Sequence, residues 1–181
     1  FNCVLFHARG YHIVKQYSNR PVSSAHALVQ YYGKRQNDPF DRAMQAYYDV
    51  VNHEFFFHAM RTGELVVPGK DALIDKEIKN TCDFWSVNLY TRQMIDTRKA
   101  DSQGARYPFT KTQMLPMTFY LDEFFPECMI HNLTRLMDKP VYITENGCSC
   151  DDDRLRIVYL TEYLCALHEA IRCGVDVRGY L

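Results

Sequence analysis

The chain has 181 residues, of which 47% are hydrophobic, and its 21 basic and 22 acidic residues leave a formal net charge of -1. Such a composition supports a sizeable core and excludes a disordered or low-complexity protein, so one domain or part of one is expected. No basic stripe interleaves with aromatic residues, which argues against nucleic acid, and no apolar run is long enough to span a membrane. A small neutral molecule is the expected partner.

Seven cysteines form an odd set that matches no disulfide framework, so we expect reduced thiols and a cytoplasmic location. The sequence from Phe1 to Phe6 lacks the basic region and cleavage site of a signal peptide. Cys148 and Cys150 are too close for the usual zinc pair, and no second pair follows. The sequence therefore predicts no metal site.

The first third of the chain predicts two helices and a strand. A helix is expected over 4–16, and a buried strand followed by irregular chain over 22–32. Asp38 is a good N-cap, Pro39 suits the first helical position and Gly63 suits a C-terminal stop, so a long helix should join them. The shared apolar face of the first helix is expected to hold Leu5, Ala8, Tyr11, Ile13 and Val14.

The remaining two thirds predict alternating strands and helices. A short helix at 70–79 and a long loop at 91–112 are expected, with strands at 83–90, 140–144 and 175–181 and helices at 125–137 and 154–173. The last helix should bury Leu155, Val158, Leu164, Leu167 and Ile171. Crossovers of this length allow parallel pairing, which predicts an α/β fold with either an open sheet or a barrel.

One carboxylate lies where such folds place their chemistry. Glu145 ends a predicted buried strand, and the C-terminal ends of parallel strands carry the active sites of barrels and open α/β sheets. Asn88 and Tyr90 end the preceding predicted strand, and their side chains could reach the same C-terminal edge of the sheet as Glu145. A phenol that donates to a carboxylate favours the charged form that a nucleophile needs. The alternatives are a solvent-exposed glutamate and two half-buried polar residues satisfied by the backbone.

Other candidate motifs fit less well. His53 and His58 are five residues apart, whereas a metalloprotease helix needs histidines four apart, so amphipathic helix residues are the better interpretation. Neither Ser23 nor Ser24 lies in the glycine-flanked elbow of a serine hydrolase, although His26 is near. The acidic run 151–153 is expected to cap the last helix and not to bind calcium.

The segment Lys139-Pro-Val-Tyr-Ile-Thr-Glu-Asn-Gly147 resembles the nucleophile motif of the family 1 glycoside hydrolases, whose best-known members are β-glucosidases. Segments 151–154, 166–171 and 174–180 resemble the approach to the last barrel strand of that family, and 83–91 is similar to its sixth-strand motif. The resemblance implies a partial (β/α)8 TIM barrel, roughly strands 5 to the start of 8, with residues 1–181 as a single partial domain.

The resemblance also implies roles for individual residues. Glu145 would be the nucleophile of a retaining β-glycosidase, Tyr90 would orient it, and Asn88 would line the sugar subsite. The substrate would be a small β-glucoside or oligosaccharide, with no metal and no cofactor. The family's acid/base glutamate lies in an Asn-Glu-Pro motif, which does not occur in this sequence.

Two consequences follow from that missing motif. The isolated chain is expected to have little or no activity, and the edges of half a barrel are expected to associate with the missing remainder or with another copy. Two alternatives stay open, namely a catalytically inactive sugar-binding protein of the same fold and a fragment that serves only for assembly.

Overall fold

A computed structural model describes residues 1–99, 109–110 and 123–181 of the chain. Its main sheet has four parallel strands, named here in the order in which they lie side by side. The strands are β1 (Ala25–Ala27), β5 (Trp85–Asn88), β8 (Val141–Glu145) and β9 (Val177–Tyr180). The prediction of a parallel α/β arrangement is confirmed.

Helices connect these strands and supply one side of the core. They are α1 (Asn2–Tyr17), α2 (Pro39–Asp49), a π-helical turn (Val50–Glu54), α3 (Phe55–Thr62), α4 (Cys128–Leu133), a 3-10 turn (Thr134–Leu136) and α5 (Asp153–Arg172). Their apolar side chains pack in one cluster with the alternate strand residues Trp85, Val87, Val141 and Ile143. The opposite face of the sheet carries the intervening, more polar side chains.

The long helix predicted from Asp38 to Gly63 is confirmed, with a π-helical turn in its middle. The Asp38 carboxylate accepts hydrogen bonds from the backbone N–H groups of Phe40 and Asp41, so it caps the helix as expected. Gly63 ends the helix in the left-handed conformation with φ of 84°. Asp152 caps α5 in the same way, by accepting from the Arg154 N–H.

Two smaller sheets complete the described fold. Strand β2 (Gln30–Gly33) pairs in parallel with β6 (Arg92–Ile95), which pairs antiparallel with β7 (Phe109–Thr110). Strands β3 (Glu64–Leu65) and β4 (Leu73–Ile74) form an antiparallel pair. The segment 22–32 thus holds two strands, and part of the loop predicted at 91–112 is strand. Residues 100–108 and 111–122 lie outside the described part of the chain.

The short helix predicted at 70–79 is wrong. Leu73 and Ile74 pair as a strand with residues 64–65, and the Asp75 N–H donates to the Gly63 carbonyl. A turn follows, in which the Glu77 N–H donates to the Asp75 carboxylate. Backbone pairing with residues 64–65 here outweighs the local helical pattern.

The predicted buried faces of α1 and α5 are wrong in part. Leu167 is buried as predicted, but Val158, Leu164 and Ile171 are about half exposed. The other buried residues of α5 are Tyr159, Tyr163, Ala166 and Ala170. In α1, Val4 and Ala8 are buried while Ile13 and Val14 are exposed. The rings of Tyr159 and Tyr163 stack with centroids 4.1 Å apart, and the small alanines allow close packing of the helix. A pattern of aliphatic residues alone could not identify that face.

Candidate functional site

A β-bulge sets the direction of the Glu145 side chain. Val87 is paired with Ile143, but the next residue, Asn88, is paired with Glu145, so Thr144 is an extra residue in β8. Strict alternation would have turned Glu145 toward the core face occupied by Val141 and Ile143. The bulge re-aims the strand end, and the Glu145 carboxylate is exposed at the C-terminal edge of the sheet.

Tyr90 contacts the carboxylate directly. Its hydroxyl donates a hydrogen bond of 2.6 Å to Oε2 of Glu145. The Tyr90 carbonyl accepts hydrogen bonds from the hydroxyls of Tyr163 and Tyr159, the latter at 3.3 Å. Helix α5 therefore holds the backbone of Tyr90, while the ring reaches across to the neighbouring strand. In the described residues, Oε1 of Glu145 accepts no hydrogen bond.

Asn88 of β5 lies on the same face of the sheet as Glu145 and is oriented by Thr144. The Thr144 hydroxyl donates to Oδ1 of Asn88 at 2.7 Å, and the Ser86 hydroxyl lies 3.1 Å from the Thr144 hydroxyl. Because the Asn88 oxygen is already an acceptor for Thr144, its NH2 group is directed away from Thr144. The bulge thus fixes two side chains at once, Glu145 and Asn88.

Asn146 holds the strand end in place. Its NH2 group donates to the Leu89 carbonyl at 2.5 Å and contacts the Tyr159 hydroxyl at 3.2 Å, and its Oδ1 accepts from the Tyr180 hydroxyl at 2.8 Å. Burial raises the pKa of both Tyr159 and Tyr180, so both phenols stay neutral and able to donate. Asn146 belongs to the motif that resembles the family's nucleophile segment, but the motif by itself indicates none of these partners.

A cavity of about 480 Å³ lies away from the site residues, and a second cavity, of about 430 Å³, lies beside Asn88 and Tyr90. The second has the size of a small-molecule site. Asn88 and Tyr90 line it, together with Thr91, which precedes β6, and Gln93 of β6. The other lining residues are Ala27, Leu28, Val29, Tyr31, Asn52 and His53. It gives a ligand room next to two of the three predicted site residues.

The competing motifs do not assemble into catalytic groups. His26 shares a hydrogen bond of 3.0 Å with His53, and burial lowers the pKa of His26 to about 4, so it is engaged with a histidine and not with a serine. His53 also contacts the backbone of Val29. Within residues 1–99, 109–110 and 123–181, no group of three or more His, Cys, Asp or Glu side chains is arranged to hold a metal ion.

The model of the family described as glycosyl hydrolase family 1 matches residues 1–181. The chain belongs to this family. Among curated glycosyl hydrolases, a β-galactosidase of Sulfolobus acidocaldarius is 31% identical over all of the chain and 38% of its own length. A β-galactosidase of Saccharolobus solfataricus is 30% identical with the same coverage. A 6-phospho-β-galactosidase of Staphylococcus epidermidis is 22% identical over 99% of the chain and 49% of its own length.

Solved glycosidase structures share the fold. A β-glycosidase from Pyrococcus horikoshii aligns with a TM-score of 0.78 at 22% identity, over 99% of this chain and 42% of that one. The family 1 β-glucosidase from Thermotoga maritima aligns with a TM-score of 0.77 at 21% identity, over 99% of this chain and 45% of that one. The chain therefore has the α/β fold of part of a family 1 TIM barrel. It spans about two fifths of the length of the first two β-galactosidases.

No helix in the described ranges combines the length and the apolar character that crossing a membrane requires.

Proposed function

We propose that the complete protein is a retaining β-glycosidase in which Glu145 is the nucleophile, Tyr90 orients it and Asn88 binds the sugar. The observation that carries this proposal is the 2.6 Å hydrogen bond from Tyr90 to Glu145, at the C-terminal ends of two adjacent parallel strands. This edge is where barrel enzymes place their catalytic residues.

The geometry suits a nucleophilic carboxylate. Tyr90 holds Oε2, which fixes the plane of the carboxylate and leaves Oε1 available to attack an anomeric carbon. In the retaining mechanism the attack forms a covalent glycosyl-enzyme intermediate, and water then releases the sugar with its original anomeric configuration. Asn88 would donate from its NH2 group to a sugar hydroxyl in the adjacent cavity.

A second carboxylic acid is needed to protonate the leaving oxygen and later to activate water, at about 5–5.5 Å from the nucleophile. The resemblance assigns this role to a glutamate in an Asn-Glu-Pro motif, outside these 181 residues. The reaction is then expected to need no metal and no cofactor, since two carboxyl groups perform both proton transfers and the nucleophilic step.

We further propose that residues 1–181 are one partial domain that supplies roughly strands 5 to the start of 8 of the barrel. The four parallel strands are joined by helical crossovers, and β1 and β9 each leave one edge of the main sheet unpaired among the described residues. The remainder of the barrel would pair with those edges, and another copy of the chain is the alternative occupant. The cytoplasmic location stays a prediction from the cysteine set.

The preferred substrate is proposed to be a small β-glucoside or β-linked oligosaccharide. A β-galactoside is the second candidate, because the two curated relatives at 30–31% identity are β-galactosidases. The ratio of kcat/KM for aryl β-glucosides and aryl β-galactosides with the full-length protein would decide between them.

Covalent labelling tests the assignment of the nucleophile. The full-length protein is incubated with an activated 2-deoxy-2-fluoro-β-glucoside and with its galacto counterpart, and the adduct is mapped by mass spectrometry. We expect one added sugar on the peptide that contains Glu145, and none in a Glu145→Gln variant. Labelling of a different carboxylate would contradict the proposal. A full-length protein that binds the sugar but forms no adduct would support the inactive sugar-binding alternative.

A further inference from the structure

Two cysteine sulfurs are in contact in the loop that follows Glu145. Cys148 and Cys150 are separated by one residue, and their Sγ atoms lie 3.5 Å apart. Neither is in a disulfide. Of the other five cysteines, Cys82 and Cys128 are buried, and Cys3, Cys165 and Cys173 are exposed.

Both ends of this loop are anchored, so the two sulfurs are held near each other. Asn146 is fixed at one end by its contacts with Leu89 and Tyr180. At the other end Asp152 caps α5, and its carbonyl accepts a hydrogen bond of 3.4 Å from the Cys150 thiol. A disulfide bond is about 2.0 Å long, so bonding requires the sulfurs to approach by only ~1.5 Å.

We propose that Cys148 and Cys150 form a redox-active dithiol that a low-molecular-weight disulfide, such as glutathione disulfide, oxidises to an internal disulfide. The site is separate from the proposed glycosidase chemistry and does not depend on it. The spacing of this pair is unsuitable for a zinc site.

The oxidation proceeds in two thiol–disulfide exchange steps. The Cys148 thiolate attacks one sulfur of glutathione disulfide, which forms a mixed disulfide and releases one glutathione thiolate. The Cys150 thiolate then attacks Sγ of Cys148 and expels the second glutathione. The two protons from the cysteines pass to the two released thiolates, and the two electrons reduce the oxidant to two glutathione molecules.

Exposure assigns the order of attack. Cys148 is partly exposed, whereas Cys150 is only 4% exposed and can reach no external disulfide before its neighbour does. Burial and the neighbouring Cys150 raise the pKa of the Cys148 thiol, while Arg156 opposes them. A mildly alkaline buffer therefore suits the experiment, because exchange requires the thiolate.

The test uses the full-length protein with Cys3, Cys165 and Cys173 replaced by serine, which removes the exposed competing thiols. After reduction and incubation with glutathione disulfide, peptide mapping is expected to show the peptide with Cys148 and Cys150 lighter by two hydrogen atoms, and restored by dithiothreitol. In Cys150→Ser the mixed disulfide at Cys148 should persist, as a gain of one glutathionyl group. In Cys148→Ser neither product should form.

Two results would overturn the proposal. One is a stable glutathionyl group on Cys148 while Cys150 is still present, which would show that Cys150 does not resolve it. The other is recovery of both thiols unmodified under conditions that oxidise a reduced peptide of the same loop sequence.

Discussion

The Tyr90 hydroxyl and the Glu145 carboxylate come from the ends of neighbouring parallel strands and meet in a hydrogen bond of 2.6 Å. The contact depends on two features that are separate in sequence. The bulge at Thr144 turns Glu145 out of the core face, and hydrogen bonds from α5 fix the backbone of Tyr90.

Tyr90→Phe in the full-length protein should lower kcat/KM by about 10- to 150-fold. The change removes a hydrogen bond to a charged group, which contributes about 1.5–3 kcal/mol. Steady-state kinetics with an aryl β-glycoside measures the loss, and thermal unfolding shows whether the fold is kept. Tyr17→Phe is the matched control, because Tyr17 is 85% exposed on α1. Equal losses in both variants would show that Tyr90 does not act through Glu145.

Thr144→Val should lower kcat/KM by about 2- to 12-fold, because it removes the 2.7 Å hydrogen bond that orients the Asn88 amide. That range corresponds to the ~0.5–1.5 kcal/mol of an ordinary hydrogen bond. Valine keeps the branched shape of threonine, so the strand itself should be little affected. Thr144→Ser keeps the hydroxyl and should therefore keep most of the wild-type activity. If serine and valine behave alike, the hydroxyl has no positioning role.

Asp41→Asn should destabilise the protein by about 3 kcal/mol at neutral pH, the lower end of the cost of breaking a buried ion pair. Asp41 is fully buried and accepts hydrogen bonds from Arg35 at 2.7 Å and from the Thr97 hydroxyl at 2.7 Å. The bonds from Arg35 lower the pKa of Asp41 well below its ordinary value; burial opposes this shift, and the bonds from Thr97 assist it.

The pH dependence of that loss has a definite sign. The stabilisation is complete above the unfolded-state pKa of about 3.9 and is lost as the pH falls toward the lower folded-state pKa. The difference in urea midpoint between wild type and Asp41→Asn should therefore shrink below about pH 4. Asp71→Asn, at an exposed position, serves as the control and should show little difference at any pH. A constant difference across this range would contradict the assignment.

Gly63→Ala should destabilise the protein more than Gly69→Ala. Both glycines have positive φ, 84° and 77°, so both substitutions incur the cost of a left-handed backbone, about 1–2 kcal/mol. At Gly63 an added Cβ would also lie 2.9 Å from the Asp75 carbonyl oxygen, whereas at Gly69 it meets nothing within 4 Å. Thermal unfolding of the two variants measures this difference: both carry the cost of the left-handed backbone, and only Gly63→Ala adds the collision with Asp75. Equal melting temperatures would show that the Asp75 carbonyl can move away.

The sequence alone determined the features that depend on local chemistry. Asp38, Pro39 and Gly63 bounded a helix because capping, ring geometry and positive φ are properties of single residues. The buried runs around Val87 and Ile143 identified the central strands, and the polar residues that follow them identified the candidate site.

Tertiary structure decided what depends on partners in other segments of the chain. Residues 73–74 form a strand and not a helix, because residues 64–65 pair with them. The buried face of α5 is set by the stacked rings of Tyr159 and Tyr163, which hydropathy ranks below the exposed aliphatic residues of the same helix. The direction of Glu145 depends on one extra residue in the pairing of β8 with β5. Strand register is a property of two segments together, so no reading of either segment by itself could supply it.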